Sequence, residues 1–502
     1  MHSLWINISN SIKNPDRSSK VKQTLTLSTV SFTNTALNTL LQILIVRMFS
    51  MDQVAVYMQS VMVYNTMFPF LQMGIDNGIF YLLTRAENKQ KEIISNAMII
   101  ILVACAFVGM FFLAGGNYFL ADKFHNNDIV FTSYLLIPYF CVTVPESIVS
   151  VCMIFYKRIR FIAYYNVFKT LTCVAMMLCI SFFTSQGAVL FAFRSLISIF
   201  MAGLCIIVAF KYVIPRGRCA FNYEITKKIL TVSVPLCVSV IAGVMSGNLD
   251  KWMVSTLLSP EQFAIFQVGA YELPFIGMIT GAISTVMLVD INNAAKRNNI
   301  NEVILIFNNI AKKTSMLLMP IMIFFIFAGE DFIIFLFTDR YSESVPIFLV
   351  YLLYIPIRCV IYGPVFIALG KAKIIMYREI MTLILNAIVS YVAIYYMGAI
   401  GAALATVIVT YLYSVPCNLY LLSKWSQKKW YEILPMHCMV RDVIYFLPAG
   451  IIVELLKGFF LKNEMYVVKL IAMAIVYGCL ILVVYRVVYG LTPRKIISMV
   501  KG

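Results

Sequence analysis

Between Leu230 and Asp290 the chain reads Val232-Ser233-Val234-Pro235, then Ser246-Gly247-Asn248-Leu249-Asp250-Lys251, then Leu258-Ser259-Pro260-Glu261-Gln262-Phe263-Ala264-Ile265-Phe266. Asp250 and Lys251 fall inside an apolar run long enough to span a bilayer, where charge is costly and marks function by default. The segment from Leu258 also repeats Phe49-Ser50-Met51-Asp52-Gln53-Val54-Ala55-Val56-Tyr57. Ser, Gln and Ala match identically at an offset of 209, and Asp/Glu, Val/Ile and Tyr/Phe match in kind. A second half of the molecule therefore begins here, with its own polar residues in the membrane.

Composition agrees. Of 502 residues 61% are hydrophobic and 13% charged, about half the usual charged share of a soluble domain. The formal charge of +17 does not point to nucleic acid, because the basic residues sit in short clusters between apolar runs. That is the positive-inside pattern of an inner-membrane protein. Met1–Lys22 is polar, with an amphipathic patch at Leu4, Trp5, Ile6 and Ile8, and reads as a cytoplasmic lead rather than a cleavable signal. Of the twelve cysteines, ten fall within apolar runs and Cys219 and Cys438 in basic loops, so all read as reduced, small apolar fillers.

A window of about 20 residues predicts fourteen spans. They are Thr24–Met48, Tyr57–Leu83, Ile93–Leu113, Val130–Phe155, Ile162–Phe183, Gly187–Phe210, Ile229–Leu257, Gln262–Val289, Thr314–Phe337, Val345–Leu369, Ile374–Tyr396, Ala399–Leu422, Val440–Leu456 and Met465–Val484. Period-2 alternation is absent, so the class is an all-α integral membrane protein. With the connections alternating from an inside start, the inner segments, with Arg378 and Arg441 at the inner ends of spans eleven and thirteen, hold 30 Lys and Arg, and the outer loops hold Lys123, Arg340, Lys457 and Lys462. This asymmetry places both termini in the cytoplasm.

The repeat extends further. Lys157-Arg158-Ile159-Arg160 corresponds to Gly370-Lys371-Ala372-Lys373 at an offset of 213, and Gly187-Ala188-Val189 to Gly398-Ala399-Ile400 at 211. Six spans separate the copies, so the halves point the same way through the membrane, with a central site expected between them. The predicted organisation is a cytoplasmic segment (1–22), an N-lobe of six helices (23–212), a cytoplasmic linker (213–228) and a C-lobe of six helices (229–423). A basic interfacial link (424–439) follows, then two C-terminal helices and a cytoplasmic tail (440–502), which stand outside the repeat.

Three features resemble the polysaccharide-transporter family. One is Arg47 followed by Ser50-Met51-Asp52 and Tyr57. Another is the Asp250-Lys251 pair. The third is Leu369-Gly370-Lys371-Ala372-Lys373 with Gly398-Ala399-Ile400-Gly401-Ala402-Ala403-Leu404-Ala405-Thr406. The family contains the Wzx-type O-antigen and capsule flippases of the multidrug/oligosaccharidyl-lipid/polysaccharide exporter superfamily. The likeness covers spans one to twelve. The chain departs from it at Gln53-Val54-Ala55-Val56-Tyr57, where the family commonly has Gly before the aromatic. The resemblance implies flipping of an undecaprenyl-pyrophosphate-linked oligosaccharide by alternating access. It also implies H⁺ or Na⁺ as the coupling ion with no other cofactor, and a glycan polymerase and chain-length regulator as partners.

Such a cargo needs cations at membrane depth. Arg47, Lys169, Arg194, Lys251 and Arg358 are the substrate-binding candidates, Arg by its two-pronged fork and Lys as a point charge. Asp76, Glu146, Asp250 and Glu272 are the ion-coupling candidates, each with a structural ion pair as the plainer alternative. Pro138 and Pro145 free backbone groups around Glu146. Tyr164, Tyr165, Tyr395, Tyr396 and Tyr411 read as interface belts before sugar platforms. Trp425 and Trp430, amid Lys424, Lys428 and Lys429, read as a link lying on anionic lipid, and Asn292–Lys313 as a basic surface helix.

Other classes fit less well. A membrane glycan polymerase or glycosyltransferase needs a large outer domain, but the longest outer loop is about Ala114–Ile129. The three histidines, His2, His125 and His437, are far apart, and no metal motif or phosphate loop is present. A drug/cation antiporter of the same superfamily calls for an acid among the N-lobe helices, whereas span one offers Asn34, Asn38 and Gln42. A peptidoglycan lipid-precursor flippase shares the cationic logic and stays open. A scaffolding subunit does not account for charges within spans.

Overall fold

A computed structural model describes residues 20–84, 89–214, 221–297, 299–460 and 464–490. The amphipathic lead, His2, Cys219, Lys462 and the end of the tail lie outside the described residues. Among the described residues there are helices and no strand.

The first expected spans are helices α1 (Lys20–Met48), α2 (Met51–Gln72) with α3 (Ile75–Leu83), and α4 (Gln90–Phe111). A π turn at Phe112–Gly116 carries α4 into α5 (Asn117–Lys123). Then come α6 (Asp128–Phe155), α7 (Ile159–Ser181) and α8 (Gly187–Tyr212). Long α9 (Tyr223–Leu257) begins six residues before the expected span, inside the predicted linker. Next are α10 (Pro260–Gly269), α11 (Pro274–Lys296) and α12 (Ile300–Phe337). Expected span ten is built from three short pieces: α13 (Ser344–Leu352), α14 (Ile355–Arg358) and α15 (Gly363–Ala368). Helix α16 (Ala372–Val409) runs through a π turn at Thr410–Ser414 into α17 (Val415–Ser426). The chain ends in α18 (Trp430–Ile433), α19 (Met436–Phe460) and α20 (Tyr466–Val488).

Ten helical stretches among the described residues are long and apolar enough to cross a membrane, and one of them, Ile374–Ser426, holds expected spans eleven and twelve. Gly398 separates those two with φ 60° and ψ −142°, a conformation open to a residue without Cβ. The other expected spans fall on α2, α9 and α19, which carry more polar and charged residues. One expectation fails. Asn292–Lys313 is not a separate surface helix: α11 ends at Lys296, and Asn299 caps α12 by accepting from the Glu302 amide at 3.1 Å. Val303, Ile304, Phe307 and Ala311 share a helical face and are buried, so the first turns of α12 belong to the packed helix.

The chain divides into two compact units, Met1–Asn248 with Ser255–Ala264, and Leu249–Val254 with Ile265–Gly502. In the first, α6 packs against α2, α4 and α8, and α1 against α7. Fully buried Val54, Ile94, Val144, Ile148, Leu190 and Phe191 fill the space between helices. Lipid is as apolar as these side chains, so close packing and internal hydrogen bonds hold the unit together. The repeated motif contributes directly: the Gly187 amide donates to Gln53 Oε1 at 2.7 Å, and a Cβ at 187 would collide with the Gln53 backbone.

In the second unit α12 is central, packed against α11, α13, α19 and α20. The C-terminal helices, expected outside the repeat, are thus among the main partners of the unit's central helix. Pro320 has no amide hydrogen, so the Met316 carbonyl loses its helical partner. The Tyr485 hydroxyl of α20 donates to that carbonyl at 2.6 Å, and Tyr477 donates to the Pro320 carbonyl at 2.8 Å. In lipid such a group must be satisfied from within the protein.

Candidate functional site

Four helices of the first unit bring its charges together. On α7, Tyr165 and Lys169 lie four residues apart on one face. Both reach buried Glu146 of α6: the Tyr165 hydroxyl donates at 2.6 Å, and the Lys169 ammonium lies 2.8 Å from Oε1 and 2.6 Å from Oε2. Helix α6 continues through Pro138 and Pro145. Lys169 thus has a full counter-charge, and Tyr165 is a buried ligand of that carboxylate rather than a belt residue.

Arg194 of α8 is different. Its guanidinium donates to the hydroxyl of buried Tyr57 on α2 and stacks 5.7 Å from that ring. Among the described residues no carboxylate lies within 4.0 Å of it. Around it, Tyr64 stacks on Tyr139 at 4.3 Å and donates to Thr143 Oγ1 at 3.1 Å. A phenol satisfies one N–H and supplies no charge, so the guanidinium keeps its positive charge and most of its fork. Arg47, in the last turn of α1, is exposed, and Asp76 is half-buried in the first turn of α3.

In the second unit Asp250 of α9 is buried, and the Tyr351 hydroxyl of α13 donates to it. The Lys251 amide also donates to Asp250 Oδ1, at 2.8 Å. Consecutive residues on a helix point in different directions. The half-buried Lys251 ammonium accordingly makes no ion pair with Asp250, and among the described residues no carboxylate lies within 4.0 Å of it. The repeat motif recurs here: Phe266, the counterpart of Tyr57, meets the Tyr351 ring edge-on at 6.2 Å. Arg358 and Glu272 pair at 2.6 Å with both side chains more than a third exposed, and Arg358 lies over the Tyr354 ring. Exposed pairs of this kind contribute little to stability.

Three charged clusters escaped the sequence reading. Lys457, assigned there to an outer loop, pairs with buried Asp331 at 2.6 Å. Asp442 accepts from Ser315 at 2.7 Å and from Tyr489 at 2.5 Å, with Arg441 at 3.4 Å. Arg378 contacts Glu379 and donates to Asn418 Oδ1 at 2.8 Å. The available signal was an acid within a predicted span, at Asp331 and at Asp442. Among the described residues no group of His, Cys, Asp and Glu is placed to hold a metal, and the described cysteines are free thiols.

Residues 45–346 match the family described as "Polysaccharide biosynthesis protein", more than half of the chain. The chain belongs to that family. The comparison with curated proteins returned no match. Among solved structures, the chain is similar to "Lipid II flippase MurJ, inward closed conformation", with a TM-score of 0.72, 17% identity, and 91% of this chain and 98% of that one covered. It is also similar to an inward-facing multidrug resistance MATE family transporter of the MOP superfamily, with a TM-score of 0.58, 14% identity and coverage of 79% and 96%. A MOP superfamily transporter from Pyrococcus furiosus Vc1 gives 0.52, 14%, 84% and 98%. The chain therefore has the fold of these proteins and, with ten helical stretches of spanning length among its described residues, is a multi-pass membrane protein.

Proposed function

We propose that this protein flips an undecaprenyl-pyrophosphate-linked oligosaccharide, an O-antigen or capsule repeat unit, across the bacterial cytoplasmic membrane by alternating access, with both termini cytoplasmic. The observation that carries the reading is Arg194, a membrane-helix cation held by a phenol and paired with no described carboxylate. Such a charge is expensive unless it has a role, and a pyrophosphate accepts its fork in two oxygens. Lys251 supplies a second cation of the same kind. Family membership and the lipid-flippase fold support the reading. Deletion of the gene is expected to leave lipid-linked oligosaccharide facing the cytoplasm, measured by its accessibility to an added glycosidase in inside-out and right-side-out vesicles. Drug hypersensitivity with normal glycan export would overturn the reading in favour of an antiporter.

Asp250 is the proposed coupling site. Its donors are a hydroxyl and an amide, both neutral, so H⁺ or Na⁺ can come and go there without opening a salt bridge. Glu146 is instead bound to Lys169. Asp250→Asn keeps an acceptor for Tyr351, and the expected result is glycan translocation in vesicles that no longer responds to H⁺ or Na⁺ ionophores. An unchanged ionophore response in the variant removes Asp250 from this role.

A further inference from the structure

The second unit contains a cavity of about 740 Å³, well within the size range of small-ligand pockets. Met319, Ile357, Val360, Leu419, Leu434 and Ile444 are among its walls. Two of its hydroxyls are engaged, Tyr411 donating to the Leu353 carbonyl at 2.8 Å and Ser423 to the Lys428 carbonyl at 2.6 Å, while the buried Tyr362 hydroxyl has no partner among the described residues; the rest of the wall is mostly apolar. Such a chamber suits a hydrocarbon chain and offers little to a sugar or a phosphate.

A basic stretch of chain borders the chamber. Ser423 and Trp430 line it, and next to them in sequence stand Lys424, Lys428 and Lys429. Lys371 lies 5.9 Å over the ring of Trp425, and Lys429 lies 5.8 Å over Tyr431. Among the described residues none of these four lysines is in an ion pair; the nearby acid Glu432 is exposed and joins none of them. A chain-sized apolar space beside a group of uncompensated ammoniums matches a molecule with an anionic head and a hydrocarbon tail.

We infer that the cavity binds one anionic phospholipid, its acyl chain filling the apolar space and its headgroup phosphate lying on Lys424, Lys428 and Lys429. Trp430 stands at the junction of the two, as interfacial aromatics do. This goes further than a link resting on a charged surface, because it requires a chain to enter the protein. It does not depend on the identity of the transported cargo.

The test uses the full chain with Trp5, Trp252 and Trp425 replaced by Phe, so that Trp430 is the sole fluorophore, in phosphatidylcholine vesicles. Phosphatidylglycerol or phosphatidylcholine with dibrominated chains is titrated in, since bromine quenches tryptophan on contact. Brominated phosphatidylglycerol is expected to half-quench Trp430 at about tenfold lower mole fraction, as several lysines near an anionic head predict. Lys424→Gln with Lys428→Gln and Lys429→Gln removes that preference, and Val443→Phe, which keeps the lysines and fills the chamber, weakens quenching by both lipids. Equal quenching by the two lipids, or a preference that survives the triple substitution, overturns the inference. Displacement of the brominated lipid by undecaprenyl phosphate at a lower mole fraction than by unlabelled phosphatidylglycerol also overturns it, and assigns the chamber to the cargo tail.

Discussion

Arg194→Ala and Lys251→Ala are each expected to abolish surface-glycan export while the protein remains in the membrane at normal abundance. The reason is the asymmetry in how the charges are held. Removing Arg194 leaves only the Tyr57 hydroxyl without its donor, and removing Lys251 leaves no described carboxylate exposed to lipid without a partner. Insertion therefore survives. The phosphate of the cargo, in contrast, loses a cation that replaces its hydration, and loss of one partner of a desolvated charge pair costs at least about 2 kcal/mol, roughly 30-fold in rate. Arg194→Lys keeps the charge without the fork and is expected to fall between. Surface glycan and membrane abundance, measured together in a deletion strain carrying each variant, decide the matter. Normal export in both alanine variants removes these residues from the substrate path.

The second large effect is expected on stability, at Glu146 and Lys169. Glu146→Ala strands an ammonium that is largely enclosed, with 23% of the Lys169 side chain exposed, and 8% of the Glu146 side chain is exposed in turn. Breaking a buried pair from one side costs about 3–5 kcal/mol, and the partial exposure of Lys169 puts this case toward the lower end. Glu146→Gln combined with Lys169→Met leaves no charge and keeps an acceptor for Tyr165. The double variant is therefore expected to unfold at a higher temperature than Glu146→Ala, and its loss to be smaller than the sum of the single losses. Thermal unfolding of the detergent-purified proteins measures this. Strictly additive losses would show that the pair does not act as a unit. Lys169→Met with normal stability and no export would instead return Lys169 to the substrate path.

These contrasts separate residues that look alike in the sequence. Lys169, Arg194, Lys251 and Arg358 are all cations within predicted spans. The structure gives Lys169 a buried carboxylate, Arg358 an exposed one, and Arg194 a phenol. Glu272 and Arg358 were separate candidates for separate roles, yet they form one pair. Asp331, Asp442 and Arg378 also stand within predicted spans, and the structure gives them Lys457, Ser315 and Asn418 as partners on other helices.

The sequence by itself determined what depends on neighbours along the chain. Apolar runs of spanning length mark the helices, because a backbone in lipid must bond internally. The repeated Ser-x-acid-Gln motif marks where α2 and α10 begin, after Ser50 and Ser259. Gly398 marks the break between the last two helices of the repeat. Only the tertiary structure decided which charge meets which. Glu146 and Lys169 stand 23 residues apart, and Asp250 and Tyr351 stand 101 apart. Whether a membrane charge is neutralised depends on distances of a few ångströms between different helices, which helix packing sets and no local pattern encodes.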